Sequence, residues 1–70
     1  MTPEGAVLWR LRSPTREHAH ASVLAGGPPI TLAFFVDHQL DRIENYDTLD
    51  LAVFRAEDVK RALVEEGWTE

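Results

Sequence analysis

The sequence predicts an α+β fold: a three- to four-stranded antiparallel β-meander followed by one long C-terminal helix packed on one face. Three observations carry that expectation. Between Ala6 and Tyr46, apolar residues recur with the two-residue period of strands, and the runs are cut by clusters of Pro, Gly, Ser and Asp. From Thr48 onward the period lengthens, and Leu49, Ala52, Val53, Ala56, Val59 and Leu63 fall on one helical stripe. Both ends of that stretch are marked, with Asp47 or Thr48 able to cap its start and Gly67 placed for a left-handed C′ residue.

Pro3 and Gly5 suggest a loose start. Val7, Trp9 and Leu11 alternate with Leu8, Arg10 and Arg12, so Ala6–Arg12 reads as a strand with one more apolar face. Ser13-Pro14-Thr15 is turn chemistry, since proline presets φ and the hydroxyls can bond nearby backbone. A second strand is expected from about Glu17 to Ala25, with His18, His20, Ser22 and Leu24 on one face and Ala19, Ala21, Val23 and Ala25 on the other. The small alanine face leaves room for a helix to approach. Gly26-Gly27-Pro28-Pro29 closes the next reversal, because glycine admits positive φ and proline cannot donate to a ladder.

Ile30–Val36 is the most apolar strand. Ile30, Leu32, Phe34 and Val36 point one way and Thr31, Ala33 and Phe35 the other, the pattern of a central strand covered on both faces. Asp37-His38 reads as a two-residue hairpin connection. In Gln39–Tyr46 the apolar residues Leu40, Ile43 and Tyr46 are three apart, which breaks alternation and implies a bulge or an early end near Glu44-Asn45. Leu49, Leu51 and Val53 also alternate, as a short fifth strand would, but Asp50 and the alanines are poor strand residues and favour the helix. Trp68, at C″, is expected to fold back on Leu63, the contact of a Schellman ending. The ending Lys60-Arg61-x-Leu63-x-x-x-Gly67-Trp68 resembles that of very short bacterial proteins. The resemblance implies the strands-then-helix layout and transfers no functional residue.

A single domain of 70 residues buries only about 60% of the surface that its unfolded chain exposes. Domains of this size recruit a disulfide, a metal or a partner subunit. The chain has no cysteine, which excludes disulfides, thiolate catalysis and cysteine zinc sites, so a second subunit is the expected reinforcement. No signal-peptide pattern opens the sequence, and its longest apolar run, residues 30–36, is far short of the ~20 residues of a membrane span. A cytoplasmic protein without membrane attachment is expected. Charge is uneven: residues 1–36 balance at +1 and residues 37–70 at −6, giving the net −5. Such a chain is repelled by phosphate backbones, which disfavours nucleic acid. Arg10, Arg12 and Arg16, with Trp9 beside them as a stacking ring, form the one local surface that argues the other way.

No phosphate-binding glycine loop and no nucleophile-elbow serine is present. His18 and His20 share a strand face, and His38, with Asp37 and Asp41, lies in the following hairpin. These imidazoles are the only candidates for a metal or acid–base site, and their ordinary reading is two exposed strand histidines and one turn histidine. Glu57 with Lys60 or Arg61, and Arg61 with Glu65, have the spacing of surface ion pairs rather than of a catalytic carboxylate pair. No catalytic, cofactor or metal site is therefore expected. What remains is apolar surface: Trp9, Phe35, Leu51 and Phe54 exceed what one helix can hide over one sheet face, and exposed apolar patches mark interaction sites. The expected function is a small non-enzymatic interaction or regulatory module. It would be homodimeric or docked to another protein, with a nucleic-acid accessory using Arg10, Arg12 and Arg16 as the alternative.

Overall fold

The computed structural model describes residues 6–24 and 26–70. The expected loose start at Pro3 and Gly5 and the reach of the second strand to Ala25 lie outside the described residues. Strands β1 (Ala6–Arg12), β2 (His18–Val23), β3 (Ile30–Val36) and β4 (Gln39–Tyr46) form one antiparallel sheet in the order β1-β2-β3-β4. Helix α1 (Leu49–Glu65) follows and touches β1, β3 and β4. The α+β meander-and-helix layout stands, with four strands, and residues 49–54 belong to the helix.

The reversals follow from local chemistry. Ser13 is buried, and its Oγ accepts the backbone N–H of Thr15 at 3.2 Å and of Glu17 at 2.9 Å. At the next hairpin Asp37 and His38 both take positive φ, 51° and 69°, which is the two-residue connection that matches strand twist. Asp37 also locks the register of β2, since its N–H donates to the His18 carbonyl at 2.7 Å and its Oδ1 accepts the His18 N–H at 2.9 Å.

One sheet face builds the core. Trp9, Leu11, Ala19, Ala21, Leu32 and Phe34 are buried there against Ala52 and Ala56 of the helix. Trp9 and Phe34 are both cross-strand partners of Ala21, and their rings meet at 6.3 Å between centroids. The small face of β2 thus makes room for two aromatics from the flanking strands. The indole Nε1–H of Trp9 donates to the Ala56 carbonyl at 2.8 Å, which ties the helix to β1.

Two bulges redistribute side chains between the faces. In β1 the register skips Leu8, so Val7 pairs with Ser22 on one face while Trp9 pairs with Ala21 on the other. Strict alternation had placed Val7 and Trp9 together. In β4 the skip falls at Asp41, between Arg42 opposite Phe34 and Leu40 opposite Phe35. The irregularity implied by the three-residue spacing therefore exists, but at Asp41 rather than near Glu44-Asn45, and the strand runs on to Tyr46.

The helix ends as its sequence predicts. Thr48 Oγ1 accepts the Leu51 N–H at 3.3 Å at the start. At the finish Gly67 has φ 106°, its N–H donates to Val64 O at 3.0 Å, and the Trp68 N–H donates to Leu63 O at 3.1 Å, the paired bonds of a Schellman motif. Thr69 then forms an antiparallel bridge with Arg12 on the outer edge of β1, with N···O distances of 2.6 and 2.8 Å. A Cβ at Gly67 would sit 3.3 Å from Pro14 Cγ. Gly67→Val is expected to cost about 1–2 kcal/mol through the left-handed conformation alone. A melting curve that matches wild type would contradict this ending.

Candidate functional site

The second face of the sheet carries no helix. Cross-strand pairing places Val7, Ser22, Ala33 and Ile43 in one row and Arg10, His20, Phe35 and Leu40 in the next. Ala33 is fully buried by its neighbours, Phe35 is half-buried, and Val7, Ile43 and Leu40 are 42%, 46% and 53% exposed. The bulge at Asp41 is what brings Leu40 and Ile43 to the same side. This patch continues onto the β1–β2 half as a polar, cationic region with Arg10, Arg12, His18 and His20. The expectation that β3 is covered on both faces is met on one face only: within a single chain Thr31 and Phe35 look outward.

His20 lies flat on Phe35, with ring centroids 4.5 Å apart and planes 9° from parallel. Burial, then the charges of Arg10 and His38, lower the His20 pKa below the ordinary value. The neutral ring is therefore held in its stack over the near-neutral range.

The residues expected to form one interaction surface divide. Trp9 is 5% exposed and hydrogen-bonded to the helix, so it belongs to the core, because the bulge at Leu8 turns it inward. That burial also removes the stacking ring from the nucleic-acid reading, which keeps only Arg10 and Arg12 on the open face and Arg16 at φ 74° in the β1–β2 turn. Phe35 lies on the open face. Leu51 and Phe54 are 50% and 73% exposed on the helix. Phe54 is two positions from each of the fully buried Ala52 and Ala56, about 200° round the helix, so it faces away from the sheet.

The charged residues at the helix–β4 junction form a structural network. Glu44 accepts from Tyr46 OH at 2.7 Å and Arg55 Nε at 3.1 Å, and pairs with Arg42 at 3.4 Å. Asp58 bridges Arg55 and Arg61, and Lys60 pairs with Glu70. The helix ion pairs thus run through Asp58 and the C-terminus rather than through Glu57 and Glu65. Burial alone would raise the Glu44 carboxyl, but the hydrogen bonds from Tyr46 and Arg55 and the charges of Arg55 and Arg42 outweigh it and lower its pKa. A lowered carboxyl stabilises the fold above the unfolded-state value, ordinarily 4.5, and that contribution disappears as pH falls through the lowered folded value. Glu44→Gln should therefore melt below wild type at pH 7 and converge with it toward pH 3. A gap that persists in acid would assign the loss to shape rather than charge.

A narrow groove of about 150 Å³ opens between Phe34, Arg42, Val59, Leu63 and Trp68, with the Arg42 guanidinium 5.1 Å from the Phe34 ring centre. It is well below the volume of sites for drug-sized ligands, ~300 Å³ and above. Among the described residues no group of three or more His, Cys, Asp or Glu is placed to hold a metal ion, and no helix is long and apolar enough to cross a membrane. Comparison with protein-family models, curated proteins and solved structures gives no match.

Proposed function

We propose that this protein is a non-enzymatic interaction module that acts as a homodimer joined through the open face of its sheet. The observation that carries this reading is the patch of Val7, Phe35, Leu40 and Ile43 around Ala33 on a face that no other described element covers.

The chain carries net charge −5, yet no acidic side chain stands among the described strand residues of this face, and its cations Arg10 and Arg12 lie on β1, across the sheet from Leu40 and Ile43 on β4. A two-fold contact uses the same patch on both subunits. Leu51 and Phe54 stand on the helix, on the other side of the sheet, and lie outside that contact.

Sedimentation equilibrium should give about twice the chain mass of 7.9 kDa. A single-chain mass at millimolar concentration would defeat the proposal.

A further inference from the structure

We propose that the depression enclosed by β1, β2 and the β3–β4 turn is an anion site for a small phosphoryl-bearing ligand, held by Arg10, His18, His20 and His38. The depression has a volume of about 230 Å³, and these four residues line it together with Leu11 and Ala19. All three imidazoles of the chain and one guanidinium thus converge from residues 28 positions apart. The fold does this by pairing Arg10 directly with His20 across β1 and β2 and by folding the Asp37-His38 turn alongside His18.

Among the described residues no carboxylate pairs with this cluster. No acidic side chain lines the depression, and Arg10 makes no ion pair among the described residues. Asp37 is adjacent in the turn, but its Oδ1 is occupied by the His18 N–H. Burial, and after it the charges of Arg10 and His38, weigh against protonation of His20. The groups around His20 are Arg10 on β1, His18 on its own strand, His38 at the turn, and Asp41 and Arg42 at the β4 bulge, with Phe35 beneath the ring. Only Asp41 among them is acidic, and it is not one of the residues that line the depression.

The chemistry selects an oxyanion. A guanidinium presents paired donors that fit phosphoryl oxygens, and imidazole N–H groups add further donors. The volume falls under that of sites for drug-sized molecules, which suits a compact group. The acidic balance of the whole chain repels long polyanions, which favours a small ligand over nucleic acid. The cluster adjoins the proposed dimer contact, since Arg10 and His20 share a cross-strand row with Phe35 and Leu40, but the test reads anion binding directly, whatever the mass of the protein.

The test is an NMR titration of the imidazole C–H signals of the full chain with inorganic pyrophosphate at pH 6, with ionic strength held constant by potassium chloride. The expected result is saturable movement of the His20 and His38 signals and a higher His20 pKa in the saturated protein. Arg10→Gln should weaken binding by about tenfold, the worth of a charge-assisted hydrogen bond. His38→Asn, at a turn position where Asn tolerates positive φ, should weaken it in the same direction. A parallel titration with an eight-nucleotide oligothymidylate should show the weaker affinity. Shifts that never saturate, equal affinity in wild type and Arg10→Gln, or an oligonucleotide that outbinds pyrophosphate would each overturn the proposal.

Discussion

Trp9→Ala is expected to lower stability by about 3–5 kcal/mol, the cost of truncating a large aromatic in a packed core. The indole is 5% exposed, touches Phe34 across Ala21 and donates to Ala56 O of the helix, so its loss leaves a cavity at the seam between sheet and helix. A domain of this length has roughly 4–10 kcal/mol to lose, from 0.05–0.15 kcal/mol per residue, and a small one sits toward the lower end. The variant should therefore be partly or wholly unfolded at 25 °C. Trp9→Phe, which keeps a ring and removes the donor, should lose the net worth of one hydrogen bond, about 1 kcal/mol, plus a smaller packing term. Urea unfolding followed by far-UV circular dichroism, at one fixed protein concentration because dimerisation adds to stability, separates the two. A Trp9→Ala chain within 1 kcal/mol of wild type would show that the helix is not anchored there.

Ile43→Glu should break self-association while leaving the subunit folded. Ile43 is 46% exposed in the single chain, so a carboxylate is tolerated there until a second copy covers it. Each substitution occurs twice across a two-fold interface. At about 1.5 kcal/mol or more per lost isoleucine, the change exceeds roughly 100-fold in Kd. Phe35→Glu should also weaken the dimer and should release His20 from its stack, with His18→Ala the milder change. Phe54→Glu is the control: the side chain is 73% exposed on the opposite side and should leave the mass unchanged. Dissociation by Phe54→Glu but not by Ile43→Glu would move the interface to the helix.

Much of the fold was legible because local chemistry and tertiary packing agree. β3 and β4 occupy the expected residues, since Gly-Gly-Pro-Pro and Asp-His leave the chain few other places to turn. The helix stop was readable from Gly67 and Trp68 for the same reason. What escaped was any property set by register. A bulge at Leu8 sends Trp9 inward and Val7 outward, and a bulge at Asp41 places Leu40 beside Ile43 on the open face. A one-residue skip reverses which face a side chain occupies, and no residue type at Leu8 or Asp41 announces it. The apolar surface was therefore anticipated in kind, but Trp9 was counted in it and Val7, Leu40 and Ile43 were not. The bridge from Thr69 to Arg12 was equally invisible, since it depends on where the helix delivers the chain end.

His18 and His20 share a strand face by alternation alone, and the Asp37-His38 turn, bonded to His18, brings His38 beside them. Arg10 joins them through a cross-strand register that spacing alone cannot supply.

Isotope-filtered NOE spectroscopy on an equal mixture of ¹³C-labelled and unlabelled chains asks directly whether a second copy lies over the uncovered strands. Intersubunit cross-peaks from the Leu40 and Ile43 methyls and the Phe35 ring are the predicted result. Cross-peaks confined to Leu51 and Phe54, or none at millimolar concentration, would contradict it.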